Sequence, residues 1–275
     1  MRGHCYDALV GIAGCDKSLP GVMMSMIRLN VPSVFMYGGS IMPGKHHGHD
    51  VTVLDVFEAV GKHAAGGMSD EELDELERHA CPGAGACGGQ FTANTMACVS
   101  EMIGLALPFS AGAPAPDEDR DRWAIESGKA VVELIRRNIR PRDIVTLDSL
   151  HNAAAIVGAT GGSTNAALHL PAMAHEAGIR FTLQDVAEIM RKTPHIADLK
   201  PGGRYVAADV HRIGGVPIII KALIDGGYVK GDCMTVTGKT IAENHREVIV
   251  PKDQDVVRPC SDPISPIGGV VSLHG

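Results

Sequence analysis

Tyr6-Asp-Ala-Leu-Val-Gly-Ile-Ala-Gly-Cys-Asp-Lys-Ser-Leu-Pro-Gly-Val-Met-Met-Ser-Met-Ile-Arg-Leu-Asn-Val-Pro-Ser-Val-Phe-Met-Tyr37 decides the fold class. Its opening, Tyr6 to Ala13, is a largely apolar run of the length and kind that a buried strand takes. Gly14-Cys15-Asp16-Lys17 interrupts the run as a turn. Pro20 to Asn30 then reads as a helix, with Pro20 near its first turn, where a missing N–H is tolerated. Val31 to Tyr37 is a second short apolar run, ended by Gly38-Gly39. Strand, helix, strand is a βαβ unit, and strands joined in that way lie parallel. The expected class is therefore α/β, a parallel or mostly parallel sheet flanked by helices in three layers. Such sheets place their sites at the carboxyl ends of strands. Cys15, Asp16 and Lys17 stand at such an end.

Beyond this unit the pattern is mainly helical. Val53, Leu54, Val56, Phe57 and Val60 have helical spacing within 50–65. Ser69-Asp70-Glu71-Glu72 is a capping box opening an acidic helix that runs to about Ala80. Thr92 to Leu107 reads as an apolar helix, 108–117 as a Pro/Ala-rich loop and 121–138 as an amphipathic helix. A short helix is expected over 150–157, ended by Gly158. Further helices are expected over 166–177, from the cap Thr182 to Lys192, and over 216–225. From Asp232 the texture changes to short β-like pieces, Val248 to Val250 and Gly269 to Leu273, separated by Pro and Gly.

Length and composition bound the function. A chain of 275 residues can bury a sizeable core. Aromatic residues are scarce, with one Trp, while glycine is plentiful at 33, which favours tight turns over an aromatic-walled pocket. The net charge of −7, without a long basic run, recruits neither nucleic acid nor an anionic membrane. No apolar stretch approaches the roughly 18 residues that span a bilayer, and Met1 to Asp7 has no signal-peptide core. Seven cysteines, an odd number spread along the chain, do not read as a disulfide framework. The reducing cytosol or an organelle matrix fits them better, with a cytoplasmic setting expected, and cysteines in glycine turns are then candidates for metal ligands or nucleophiles.

Two cysteine turns carry the chemistry. In Cys15-Asp16-Lys17 three consecutive side chains of a turn can converge on one centre. A thiolate suits soft iron and a carboxylate suits a hard cation such as Mg²⁺. Lys17 would repel a cation unless it lost its proton or were carbamylated into an anionic oxygen ligand. The plainer reading of this segment is a surface turn with a half-buried thiol. In Cys81-Pro-Gly-Ala-Gly-Ala-Cys87-Gly-Gly89 the glycines let backbone amides approach sulfur, as around iron–sulfur clusters. Cys87 precedes a helix start, which favours a thiolate; Cys81 stays open as a structural residue or a ligand. Thr160 to Asn165, with Ser163, Thr164 and Asn165 before a helix, reads either as an anion turn able to hold a carboxylate or as an ordinary cap. Gly38-Gly39-Ser40 is a weaker turn of the same kind. His46-His47-Gly48-His49-Asp50 reads as a solvated loop. Cys5, Cys98, Cys233 and Cys260 read as small buried hydrophobes.

The chain resembles the dihydroxy-acid dehydratase family, which also includes phosphogluconate and sugar-acid dehydratases. The resemblance rests on Gly11-Ile-Ala-Gly-Cys-Asp-Lys-Ser-Leu-Pro-Gly21, Tyr37-Gly-Gly-Ser-Ile-Met-Pro-Gly44, Cys81 to Ala97 and Gly161-Gly-Ser-Thr-Asn165. It implies removal of water from a 2,3-dihydroxy carboxylic acid, of the 2,3-dihydroxyisovalerate type, to give a 2-keto acid in valine and isoleucine biosynthesis. It implies an iron–sulfur cluster, two-iron in preference to four-iron, acting on the 3-hydroxyl, and Mg²⁺ holding the carboxylate and 2-hydroxyl. By motif, Cys15 and Cys87 are implied as cluster ligands, and Asp16 and a carbamylated Lys17 as Mg²⁺ ligands. A homodimer is implied for the full-length family.

The same resemblance implies that a third cluster cysteine, a further aspartate and glutamate for Mg²⁺, and a serine base lie outside these residues. On that expectation, 1–240 is the central part of an N-terminal α/β domain. Residues 241–275 would begin the link to a β-rich C-terminal domain that the chain lacks, and the chain alone would be inactive. Two competing expectations are a sugar-acid dehydratase and a non-catalytic iron–sulfur binding fragment.

Overall fold

The computed structural model describes residues 1–273. The expected βαβ unit opens the chain: β1 (Leu9–Ala13), α1 (Ser18–Leu29) and β2 (Ser33–Tyr37). The two strands pair in parallel, Leu9 opposite Ser33 and Ala13 opposite Tyr37. Phe35 extends the sheet by one parallel bridge to Ala106, its N–H donating to Leu105 O at 2.8 Å. β2 is buried throughout, as a strand covered on both faces must be. The remainder is helical, so the molecule is mixed α/β with a small parallel sheet.

A hairpin follows, β3 (Gly44–His46) and β4 (His49–Val51), joined by His47 and Gly48 with φ of 48° and 80°. Two left-handed residues in succession make the turn whose twist matches paired strands. The expected solvated loop over 46–50 is therefore an antiparallel ribbon, held against the next helices. Those are α2 (Val53–Ala64) and α3 (Asp70–Ala80). Thr52 and Ser69 begin them as full capping boxes with Asp55 and Glu72.

α4 (Thr92–Met102) is buried on every side. Its small residues let neighbours approach from all directions. It ends earlier than expected, because Gly104 turns with φ +90° against the backbone of Met234 and Thr235. α5 (Asp119–Arg137) and the short α6 (Pro141–Ile144) lead into α7 (Leu147–Ala159), which packs against α4. Gly158 lies inside α7 and does not end it. A Cβ there would stand 3.2 Å from the Met190 Cα, so this glycine serves close helix packing. α8 (Ala166–Ala177), α9 (Leu183–Lys192), α10 (Ala207–Arg212), α11 (Val216–Asp225) and α12 (Ile241–His245) complete the element list. The main core joins Leu19, Met23 and Ile27 of α1, Phe35 and Tyr37 of β2, Met96 of α4 and Ile156 of α7.

The expected β-like pieces at 248–250 and 269–273 form no strand. Ile249 is 84 % exposed, and the pairing seen after residue 246 consists of single bridges, Val257 to Ala197 and Ser265 to His195. Cys98 and Cys233 are buried as expected and Cys260 is half-buried, but Cys5 is exposed on a short helical turn. Among the described residues no helix is long and apolar enough to cross a membrane.

Candidate functional site

The site is built where β1 and β2 end. After Ala13 the chain turns through Gly14, and Ser18 locks the turn: its hydroxyl donates to Cys15 O at 2.7 Å and accepts from Cys15 N at 3.1 Å. Gly38 N–H donates to Ala13 O at 2.8 Å. A Cβ on Gly38 would approach the Gly14 Cα to 3.3 Å, so small residues let the two strand ends pass closely. Lys17 forms the N-cap of α1, and its Nζ lies 3.5 Å from Asp16 Oδ1.

The second cysteine turn docks on this edge through its backbone. Ile41 N–H donates to Ala86 O at 2.6 Å and Ala86 N–H donates to Gly39 O at 3.0 Å. This bridge sets Cys87 beside the end of β2. Asn94 of α4 fixes it from beneath. Its side-chain amide donates to Cys87 O and Gly89 O, both at 2.6 Å, while its Oδ1 accepts the Tyr37 hydroxyl at 2.9 Å. Tyr37 is buried, and burial pushes its hydroxyl well above the ordinary range, so it stays a donor.

Cys15, Asp16, Cys81 and Cys87 therefore come together from segments some 70 residues apart in the chain. Burial raises the Cys87 thiol, and the nearby Cys15, then Cys81 and Asp16, raise it further. The helix begins only at Thr92, so the expected support of a helix N-terminus for a Cys87 thiolate does not reach it. Cys5, Cys15, Cys81 and Cys87 are all free and exposed as residues, with the Cys87 thiol itself partly shielded. Asp16 Oδ1 is shut off from solvent yet has no hydrogen-bond partner. A solvent-shielded carboxylate oxygen that accepts no hydrogen bond and has Lys17 Nζ at 3.5 Å, beside convergent thiols, suits a cation next to a thiolate-held cluster, so the residues present fit both groups.

A cavity of about 190 Å³ adjoins Cys81 and Cys87 and is lined also by Ile41, Pro43 and Val206. A larger cavity of about 780 Å³, lined by Arg204, Asp255 and Arg258, shares no residue with the cysteine turns. Its size does not make it the site, because none of Cys15, Asp16, Cys81 and Cys87 lines it.

The turn before α8 is tied to α4. The Ser163 and Thr92 hydroxyls pair at 2.8 Å, Asn165 Nδ2 donates to Thr92 Oγ1 at 2.9 Å, and Ser163 N–H donates to Thr95 Oγ1 at 2.9 Å. Ser163 and Asn165 are thus occupied, and Thr164 is the exposed member. His46 Nε2, on the hairpin, lies 3.8 Å from Glu75. Two polar residues at the site escaped the sequence reading, Asn94 and His169. Both sit in apolar helices, where a single amide or imidazole was the available signal.

Over residues 1–244 the chain matches the family described as dihydroxy-acid/6-phosphogluconate dehydratase N-terminal. It belongs to that family. Among similar curated proteins, the dihydroxy-acid dehydratase of Parvibaculum lavamentivorans is 70 % identical over all 275 residues, which cover 48 % of that relative. The dihydroxy-acid dehydratase of Pelagibacter ubique is 68 % identical, with the chain again fully covered and 48 % of the relative matched. That of Synechococcus is 48 % identical over the whole chain and 49 % of its own length. The chain thus spans about half the length of the curated relatives it matches.

Proposed function

We propose that these residues form the cluster-bearing part of a hydro-lyase that dehydrates 2,3-dihydroxy carboxylic acids to 2-keto acids. The substrate is of the 2,3-dihydroxyisovalerate type, placing the enzyme in branched-chain amino-acid synthesis in the cytoplasm, as a homodimer. The observation that carries this reading is the convergence of the two cysteine turns beside the orphaned Asp16 oxygen. The names of the relatives support the amino-acid branch over sugar acids.

In this reading Cys15 and Cys87 hold the iron–sulfur cluster, a two-iron one, and Asp16 and a carbamylated Lys17 hold Mg²⁺. When bound, these groups supply the Lewis acidity that lets a poor leaving group such as hydroxide depart and makes a neighbouring C–H acidic. The chain's own part is positional. Ser18 sets the Cys15 turn, Asn94 and the Gly39–Ala86 bridge set Cys87, and Cys87 lines the smaller cavity together with Cys81. Thr164 offers its hydroxyl to a substrate carboxylate, with Ser163 and Asn165 fixing its place. Residues 1–240 act as the central part of the N-terminal domain and 241–275 as the start of a link. These residues supply two cysteines and two cation ligands of the larger set that the resemblance implies, so by themselves they do not turn over substrate.

Anaerobic reconstitution of the 275-residue chain with iron, sulfide and dithiothreitol tests the assignment. The chain holds two of the cluster cysteines that the resemblance implies, so any cluster seen in visible and EPR spectra should be lost in Cys15→Ser and in Cys87→Ser and kept in Cys98→Ser, and a stable wild-type cluster would favour the iron–sulfur binding reading. Equal spectra in all three variants would overturn the ligand assignment. Formation of 2-keto acid from 2,3-dihydroxyisovalerate by the chain alone would overturn the division of the site.

A further inference from the structure

β3 ends at His46 and the turn begins at His47, so the His46-His-Gly-His49 run straddles the bend of the hairpin. Consecutive side chains of a strand point to opposite faces. The left-handed backbone of His47, φ 48°, breaks that alternation, and its ring comes back beside His46 with the centroids 4.0 Å apart. The ribbon is seated on α3, and the fit is close, since a Cβ on Gly44 would run into the His79 carbonyl. That seating brings Glu75 of α3 to the two rings. One nitrogen from each of His46 and His47 and one carboxylate oxygen of Glu75 all lie within 4.8 Å of one another.

The plain alternative, a surface ion pair, leaves the atoms unsatisfied. His46 Nε2 stands 3.8 Å from Glu75 Oε1, beyond hydrogen-bond reach. It is shut off from solvent and has no hydrogen-bond partner, and the His46 side chain is 17 % exposed. A metal ion accounts for this spacing. Zn²⁺ holds imidazole nitrogen at about 2.0–2.1 Å and carboxylate oxygen at about 2.0–2.2 Å, so at tetrahedral angles two of its ligand atoms stand about 3.3–3.5 Å apart. Glu75 is half exposed, and a small rotation of its carboxylate closes the difference. Two imidazoles with one carboxylate suit zinc-like ions, whereas Mg²⁺ and Ca²⁺ prefer oxygen alone. The field has the right sign. α3 carries Asp70, Glu71, Glu72, Asp74 and Glu77 around Glu75, and the ammonium of Lys45 on the ribbon is paired with Asp50.

We propose that His46, His47 and Glu75 form a binding site for a divalent ion of the zinc class, which ties the hairpin to α3. None of the three lies in a cysteine turn, so the site stands whether or not those turns hold a cluster. It braces one of them from both sides. α3 runs directly into Cys81, and the hairpin follows the segment whose Ser40 and Ile41 dock against Ala86.

The test titrates Zn²⁺ into the 275-residue chain against a chromophoric chelator, after the exposed thiols have been capped with iodoacetamide so that they do not compete. One ion per chain is expected. Loss of an outer support of a metal site typically lowers affinity 10–100-fold, so loss of a direct ligand in His46→Ala, His47→Ala or Glu75→Ala should lower it at least about tenfold. His49→Ala changes the same run outside the converging set and should stay within about twofold of the parent chain. Far-UV circular dichroism of each variant checks its fold. In the unsubstituted chain the ring ¹⁵N resonances of His46 and His47 should move on adding Zn²⁺ while those of His49 do not, a readout that needs no variant. Binding that Glu75→Ala leaves unchanged would show the histidine run chelating by itself and overturn the site. An equal loss in His49→Ala, unmoved His46 and His47 resonances, or no stoichiometric binding by the capped chain would overturn it too.

Discussion

Replacing Gly85 by alanine asks whether backbone docking is what places Cys87. Gly83 lies in the same turn and provides an internal control. Both have left-handed backbones, with φ +85° at Gly83 and +136° at Gly85. A Cβ on Gly83 would meet nothing within 4 Å. A Cβ on Gly85 would stand 2.5 Å from Ser40 C and 2.6 Å from Ile41 Cα, and closer still to Ile41 N. These are backbone atoms and cannot rotate aside. The turn must lift, and the two hydrogen bonds between Ala86 and the 39–41 segment stretch or break.

Losing two bonds at about 1 kcal/mol each, together with about 1–3 kcal/mol for alanine in a left-handed conformation, gives Gly85→Ala roughly 3–5 kcal/mol. Gly83→Ala carries only the conformational part, about 1–2 kcal/mol. At roughly 2–4 °C per kcal/mol, thermal unfolding followed by circular dichroism separates the two. A short bifunctional thiol reagent, used with Cys5, Cys81 and Cys260 changed to serine, should link Cys15 to Cys87 in Gly83→Ala and fail in Gly85→Ala. Equal melting temperatures and equal cross-linking in the two variants would refute the docking argument.

Asn94→Ala removes three hydrogen bonds and leaves the buried Tyr37 hydroxyl unpaired, so a loss of about 2–4 kcal/mol is expected. Adding Tyr37→Phe should recover part of that loss, giving a coupling of about 1 kcal/mol in denaturant titrations of the four-member cycle. The Glu101 carboxyl is buried, and burial pushes it from 4.5 up to about 7 against the hydrogen bonds from Phe109 and Ala111 N–H. The folded state therefore holds this proton more tightly than the unfolded state. Its contribution to stability is complete below about 4.5 and is lost as pH rises through about 7, a difference of about 3 kcal/mol. Glu101→Gln should flatten stability against pH across that window, as measured by urea unfolding at each pH.

Much of this was legible in the chain. The βαβ unit was readable because a buried strand is an unbroken apolar run and the helix between has its own period. The box at Ser69 and the cap at Thr182 were readable because capping needs particular side chains at fixed offsets. The hairpin over 44–51 was not read, since its strands are three residues long and largely exposed, and carry no apolar alternation. Its signal was the His47-Gly48 turn. Gly158 misled because glycine both ends helices and allows them to touch, and sequence alone does not say which. At the site the convergent residues were legible as cysteine turns. The support from Asn94 was not, because a polar residue inside a buried helix looks the same whichever neighbour it bonds.

The supports and the core act on different scales, and this bears on how the site fails. Leu19, Met23, Phe35 and Met96 are fully buried beneath the strand ends, and such side chains contribute about 1.5–3 kcal/mol each. The cysteines lie outside every helix and strand, on exposed turns held by a few backbone bonds and one amide. Those bonds can be lost one at a time while the core stays folded. The segments of the site, near residues 15, 40 and 87, are carried by elements that share that core, so loss of the core removes everything at once. Variants of the turns should therefore lose metal binding well before secondary structure. Core variants should lose both in a single transition, and circular dichroism compared with thiol cross-linking on the same samples distinguishes the two cases.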